Sequence, residues 1–336
     1  MNIKMLLLPF SLAYHGVTAL RNLAFDRGVL KSHKFKTPVI SVGNLSVGGT
    51  GKTPMIEYLV RLLQKDYQLT IISRGYGRKT KGFLEVTPQH SAHEVGDEPL
   101  QFKKKFPKLR VVVCADRVEA INAVEGRCDV ILLDDAFQHR YVRPTINILL
   151  TTQENPYHND MILPAGWLRE SASGAKRADL VVVSKCAKGT SYAALQQLQL
   201  DLKLTQDQSI YFSDINYGAV LIGRNEQMAL EALIGAKFTL VTGIANPEPL
   251  AAFLEALGCS FDHLKYPDHH DFTPTQCREI NARDLVITTE KDFQRLTNRI
   301  DKSALYFLPV ETQFLFDRAA AFAEEINNRI TYHRKF

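Results

Sequence analysis

Residues 37–53 read TPVISVGNLSVGGTGKT, and their types and order describe chemistry on phosphate. An apolar run (38–42) with strand character enters a glycine-rich turn. Gly51-Lys52-Thr53 then opens a stretch with helical apolar spacing, 55–63. Backbone N–H groups of Ser46, Val47, Gly48, Gly49, Thr50 and Gly51 can converge on phosphate oxygens. Lys52 adds a point charge, and the Thr53 hydroxyl can hold Mg²⁺. The pattern G-x-x-x-x-G-K-[ST] asks for glycine where Ser46 stands, but Gly48, Gly49 and Gly51 keep the turn permissive. A ligand-free turn would not need Lys-Thr directly after its last glycine. The ligand expected is ATP or another nucleoside triphosphate, with Mg²⁺.

A second element, VILLDDAFQHR (130–140), brings an apolar strand to Asp134-Asp135. Paired carboxylates at a strand end are costly unless a cation or donors compensate them, so a metal role is favoured over a solvated turn. Gln138, His139 and Arg140 follow beside them. Gly96-Asp97-Glu98-Pro99 offers a carboxylate that could accept a hydroxyl proton, and it reads equally well as a helix N-cap. Tyr266-Pro-Asp-His-His-Asp271 could be a metal site, a dyad orienting a base, or a polar loop. Adjacent side chains diverge, which argues against both rings binding one ion. Arg74, Arg78, Arg117, Arg169 and Arg177 fall on or after loops, where guanidinium groups recognise phosphate in bidentate fashion or simply face solvent.

These residues need a scaffold. Strands are expected at 69–73, 110–114, 130–133, 146–150 and 180–184, with helices at 52–65 and 116–124 between them. Near-continuous apolar strands alternating with helices imply a parallel sheet covered on both faces, with ligands at the carboxyl ends of the strands. A polar stretch at 196–208 marks a boundary. Beyond it, strands at 238–241, 285–288 and 306–308 and helices at 249–257, 274–282 and 314–326 imply a second, smaller α/β lobe. The expected organisation is an N-terminal helix (1–30), a nucleotide-binding domain (31–205) and the smaller lobe (206–336).

The chain has 336 residues, 45% of them hydrophobic, enough to bury a real core. A formal charge of +5 suits anionic substrates or an anionic membrane surface and is too diffuse to argue for nucleic acid. Five scattered cysteines without a C-x-x-C pair indicate neither zinc nor a disulfide framework, and a reduced, cytoplasmic compartment is expected. Residues 5–20, MLLLPFSLAYHGVTAL, are largely apolar but shorter than a bilayer span, and they contain Pro9, His15 and Gly16. One reading is a helix in the membrane interface, with Lys4, Arg21, Arg27, Lys31, Lys34 and Lys36 near anionic headgroups. The other is a helix packed on the core.

Taken together, VGNLSVGGTGKTP, SRGYGR, GDEP, ADR, LLDDAFQHR, LPAGWLRE, TGIANP, PDHHDF and TTEKD resemble the tetraacyldisaccharide 4'-kinase family of lipid A biosynthesis, in order over about residues 5–295. The family shares the Ser46 departure. Ala136 stands where it has glycine, tolerable if φ there is negative. The resemblance implies a P-loop kinase of two α/β lobes. Its N-terminal helix would lie at the cytoplasmic face of the inner membrane, and its acceptor would be the 4'-hydroxyl of tetraacyldisaccharide 1-phosphate. It implies that Lys52 holds the β- and γ-phosphates, and that Thr53 with Asp134 or Asp135 holds Mg²⁺, with Glu170 a weaker candidate. Asp97 would take the acceptor proton with a second-lobe histidine, His269, as partner. Arg74, Tyr76, Arg78, Arg117 and His139 would line the acceptor side. A competing reading is an NTPase whose hydrolysis drives a switch. TTEKD (288–292) faintly echoes the base-reading T-K-x-D loop of GTPases. A vestigial phosphate loop is opposed by intact Lys52, Thr53, Asp134 and Asp135.

Overall fold

The structure, a computed structural model, describes residues 3–297, 299–301 and 304–335. Strand β1 (Val39–Asn44) lies at the centre of a nine-stranded sheet. On one side it pairs with β5 (Val130–Asp134), followed by β2 (Leu69–Ser73), β4 (Arg110–Val113) and the short antiparallel β3 (Leu84–Glu85). On the other side run β6 (Ile146–Thr152), β7 (Leu180–Ser184), β8 (Ser209–Tyr217) and the antiparallel β15 (Val310–Phe314). The seven strands from β4 to β8 are all parallel.

Both faces of this sheet are covered, which is why its strands carry apolar residues at successive positions. On one face Ile40, Val42, Ile71, Leu132 and Ile148 pack under α2 (Lys52–Leu63) and α10 (Ala319–Lys335). Helix α10 contributes Phe322, Ile326 and Ile330, all fully buried, at the i, i+4, i+8 spacing of one helical face. Each such side chain contributes about 1.5–3 kcal/mol. The other face divides into one cluster around Leu149 and Val181 and another around Ile72, Val112 and Leu133, the latter under α5 (Arg117–Val124).

The second sheet holds four parallel strands: β14 (Leu305–Phe307), β13 (Val286–Thr288), β11 (Phe238–Thr242) and β12 (Phe261–Lys265). Antiparallel β9 (Val220–Ile222) and β10 (Gln227–Ala229) extend one edge. Helices α7 (Glu248–Ala256), α8 (Pro274–Asn281) and α9 (Glu290–Leu296) serve this sheet, while α3 (Ala92–Val95), α4 (Asp97–Lys105) and α6 (Tyr192–Asp201) belong to the first.

Two expectations need correction. The boundary at 205/206 does not separate the sheets, because β8, β15 and α10 all complete the large one. The chain crosses to the small sheet at β9 and returns after β14. The helix expected at 314–326 begins at Ala319: Phe314 ends β15, and Phe316 and Asp317 take left-handed conformations that break the chain direction. Strand β12 was not expected; its half-exposed sequence FDHLK shows only weak alternation.

At the N-terminus, α1 (Ile3–Asp26) is a 24-residue helix lying against loops of the large domain. The Ser11 hydroxyl accepts a hydrogen bond from Ala165 N (2.9 Å), the Tyr14 hydroxyl donates to Arg169 O (3.0 Å), and Asn22 Nδ2 donates to Glu170 (2.7 Å). The opposite face is apolar and exposed: Leu6, Phe10, Val17 and Leu20 are 55–69% accessible, and Trp167, in the 165–169 segment that bonds to α1, is 63% accessible. No helix among the described residues is long and apolar enough to cross a membrane.

Candidate active site

Parallel pairing of β1 with β5 puts Val42 opposite Asp134, so the glycine-rich loop and the paired aspartates leave the sheet side by side. The connection from β5 to β6 crosses β1, so the loop sits where the winding of the sheet reverses, the usual ligand crevice of such folds. Gly51, with φ of 87°, turns the chain from loop into α2 in a conformation that L side chains avoid. The loop is braced on three sides. Ser184 Oγ donates to Thr50 O (2.7 Å), Val47 N to Trp167 O (2.8 Å), and Asn44 Nδ2 to Thr50 Oγ1 (2.9 Å).

Lys52 Nζ lies 3.2 Å from Asn44 Oδ1 and 3.6 Å from Asp135. Burial pulls the Lys52 ammonium below its ordinary pKa, against the pull of Asp135 and Asp134. Asp135 receives both ends of the Arg169 guanidinium, at 2.8 and 3.1 Å. Burial works to raise this carboxyl, and Lys52 and Arg169 outweigh it and hold Asp135 below the usual carboxylate range. Asp134 behaves in the opposite sense. It is buried at the end of β5, accepts a bond from Ser73 Oγ (2.9 Å), and is pushed up to about 6 by burial and by the charges of Glu98 and Asp135. Two neighbouring carboxylates are thus driven apart in character. At position 136 the chain is outside the left-handed region, and Asp135 takes it instead (φ 47°), so alanine fits there without strain.

No group of three or more His, Cys, Asp or Glu among the described residues can hold a metal ion by itself. Mg²⁺ brought in on nucleotide phosphates needs only one or two carboxylates and water. Buried Asp134, short of positive charge, and buried Thr53 at the start of α2 fit that donor set. Glu170 does not join them. Its two oxygens accept from Asn22 (2.7 Å), Gln138 (3.0 Å) and Arg177 (2.7 Å), which ties α1 to the domain.

A second group faces this one across the cleft between the sheets. Glu98 is close enough to shift Asp134, and Lys291 close enough to shift Lys52. Asp97 is the first residue of α4, and its side chain makes no capping bond; Gly96 occupies the cap position. Gly96 packs on Gly75 so closely that a Cβ on Gly96 would come 3.1 Å from Gly75 Cα, which locks the two loops together. The Asp97 carboxylate reaches His269 Nδ1 at 3.0 Å. Of the two adjacent histidines, His270 turns away, stacking on Tyr266 (4.8 Å between ring centroids) and bonding to Gln276.

The expected acceptor-side residues are partly assembled. Arg117 is buried and lies in the field of Arg74, Asp134 and Asp135; burial lowers its pKa. His139 lies in the field of Arg117 and Arg74, and burial with Arg117 pulls it down to about 4. Arg117 Nε and His139 Nε2 are buried with no hydrogen-bond partner among the described residues, as polar atoms awaiting a ligand would be. Tyr76 is exposed, its ring 5.7 Å from that of His269. Arg78 is the exception: its guanidinium donates to Gly82 O (2.6 Å), Val113 O and Thr80, bracing its own loop.

Comparison with known proteins follows the same outline. Residues 3–331 match the family described as Tetraacyldisaccharide-1-P 4'-kinase. The chain belongs to that family. The tetraacyldisaccharide 4'-kinase of Flavobacterium psychrophilum is 43% identical over 317 residues, covering 92% of each chain. That of Flavobacterium johnsoniae is 44% identical over 321 residues, covering 93% of each. Among solved structures, the "apo" form of LpxK from Aquifex aeolicus in complex with ATP is 31% identical, with a TM-score of 0.78 over 98% of this chain and 99% of its own.

Membership in this kinase family leaves the echo of a GTPase loop at TTEKD without a nucleotide to read. Thr289 caps α9, Glu290 and Lys291 form ion pairs with α4, and Asp292 is buried against Gly243. The lysine that does lie against the phosphate loop is Lys185, at the end of β7. Its Nζ is 3.8 Å from where a Cβ on Gly49 would sit. Lys185 and Arg295 went unremarked in the sequence because the groups they face, Gly49 and Asp97, are distant in the chain.

Proposed function

We propose that this chain transfers the γ-phosphate of ATP to the 4'-hydroxyl of tetraacyldisaccharide 1-phosphate, a step of lipid A biosynthesis. The observation that carries the reading is the apposition of two half-sites: the phosphate loop with Lys52 and Asp134, and the Asp97–His269 pair across the cleft.

The glycine-rich loop cradles the triphosphate and Lys52 meets its β- and γ-oxygens. Thr53 and Asp134 hold Mg²⁺, which, when bound, neutralises charge on the phosphates. Asp97 accepts the proton of the 4'-hydroxyl as its oxygen bonds to phosphorus. The bond from phosphorus to the β,γ-bridging oxygen breaks, and ADP leaves with that electron pair. Arg74, Arg117 and neutral His139 bind the acceptor, whose existing phosphate suits the field of the two guanidinium groups, with Tyr76 at the rim. Because the dyad draws one member from each lobe, it forms only when the lobes are together.

The exposed apolar face of α1, together with Trp167, seats the protein in the interfacial layer of the cytoplasmic leaflet without spanning it. Lys31, Lys34 and Lys36 extend this reading to anionic headgroups. The face buries nothing in the chain itself, so a lipid surface is its natural cover.

Incubating the purified chain with γ-labelled ATP, Mg²⁺ and the lipid acceptor in detergent micelles tests the assignment. Label should appear in a doubly phosphorylated lipid, at least about a hundredfold more slowly with Asp97→Ala. Near-normal transfer by folded Asp97→Ala would remove the base assignment.

A further inference from the structure

We propose that Arg295 is a positioning residue for the phosphoryl transfer, holding the Asp97 carboxylate and the His269 loop in one geometry across the cleft. The inference rests on the kinase reading above and adds a residue to it.

Helices α4 and α9 meet through three ion pairs. Lys105 lies 2.8 Å from Glu290, Glu98 pairs with Lys291, and Asp97 pairs with Arg295. The first two tie the lobes together. The third does more, because Arg295 also touches everything that fixes the dyad. Its Nε (3.1 Å) and Nη2 donate to Asp97 Oδ2. Its Nη1 donates to Asp292 Oδ1 (2.8 Å) and to Gly243 O (3.1 Å). Gly243 O also accepts from His269 N (3.2 Å), and Arg295 Nη2 stands 3.0 Å from His269 Nδ1.

The guanidinium itself cannot swing. Asp292 is fully buried and anchored by Gly243 N (2.8 Å) and Thr289 Oγ1 (2.7 Å). His269 has a φ of 56°, uncommon for any residue but glycine, and Gly243 O holds its loop in that conformation. A planar fork can serve Asp97, Asp292 and Gly243 at once, and a lysine point charge cannot. Among the described residues, all these bonds to Asp97 land on Oδ2. Oδ1 is thereby left for the acceptor hydroxyl, aimed by the rigidity of its partner oxygen.

The groups facing the dyad are Arg295, Asp292 and Lys291 from α9, Asp268 from the histidine loop, and Glu98 from α4. Removing the Arg295 cation leaves His269 as the sole counter-charge in contact with Asp97, which favours imidazolium.

The test uses the full chain with Arg295→Met and Arg295→Lys. Turnover and KM are measured across pH, and the His269 imidazole is titrated by NMR, assigned with His269→Gln. Arg295→Met is expected to lower kcat about tenfold or more while KM for ATP stays within about twofold, and to move the His269 titration upward. Arg295→Lys should recover only part of kcat. A folded Arg295→Met with unchanged kcat, pH profile and His269 titration overturns the proposal. If Arg295→Met does not fold, Asp292→Asn, which removes the anchor and keeps the guanidinium, is expected to lower kcat with KM for ATP within about twofold, and a folded Asp292→Asn with unchanged kcat overturns the proposal. Should the unsubstituted chain transfer no phosphate to lipid, the kinase reading fails, and the His269 titration still decides the role of Arg295.

Discussion

His269 Nδ1 lies 3.0 Å from Asp97 Oδ2, although 172 residues of chain separate them. Burial works to raise the Asp97 carboxyl, but hydrogen bonds from His269 and Arg295 hold it well below the usual range. The bond to Asp97 raises His269, against burial. The signs follow. A depressed Asp97 contributes stability above its unfolded pKa and loses it as pH falls through the folded value. A raised His269 contributes fully below its unfolded pKa and loses that contribution as pH rises through its folded value. Thermal melting of the parent chain and His269→Gln should therefore differ most at about pH 5–6 and converge toward about pH 9. A difference independent of pH would contradict an ionic pair.

Asp134 gives the opposite dependence. Its pKa is raised from 3.8 to about 6, so the folded state binds its proton more tightly than the unfolded state, and stability falls as pH rises between those two values. Asp134→Asn should raise stability at about pH 8 without metal, by up to about 3 kcal/mol, while abolishing transfer. Denaturant melts without nucleotide, and in ATP with and without Mg²⁺, check this. The parent should gain from Mg²⁺ and the variant should not.

Lys185 has no ion-pair partner among the described residues, and burial lowers its pKa. Beside the glycines of the phosphate loop, such a lysine is placed where it would meet the phosphates of a nucleotide cradled by that loop. Lys185→Ala should raise KM for ATP about tenfold while leaving KM for the lipid and the melting temperature unchanged. Steady-state kinetics with each substrate varied in turn will show it.

The exposed face of α1 can be tested without undocking the helix. Deleting residues 1–28 would also remove Asn22 and Asp26, which bind Glu170 and Arg140. Phe10→Glu with Val17→Glu alters only exposed positions. Sedimentation with anionic vesicles should fall at least about tenfold while ATP binding is kept. Undiminished sedimentation would remove α1 as the anchor.

The parallel core was legible because buried strands are apolar throughout: 69–73 and 180–184 coincide with β2 and β7. The return of β15 to the large sheet was not, because VETQF alternates as an edge strand with no local sign of its partner. Of the two readings of Asp97, the helix N-cap is not realised. Asp97 opens α4, but glycine holds the cap position and frees its carboxylate. Arg78 and Glu170 carried residue types suited to a site and were spent on loop bracing and helix docking. Arg295 lies 198 residues from its carboxylate, a distance no local pattern bridges.

The most direct test of the central claim is ³¹P NMR of the lipid after incubation with ATP and Mg²⁺, with Lys52→Ala as control. A second phosphomonoester at the 4' position, formed only by the unsubstituted chain, is the result predicted. ADP formation with the lipid left singly phosphorylated would contradict it.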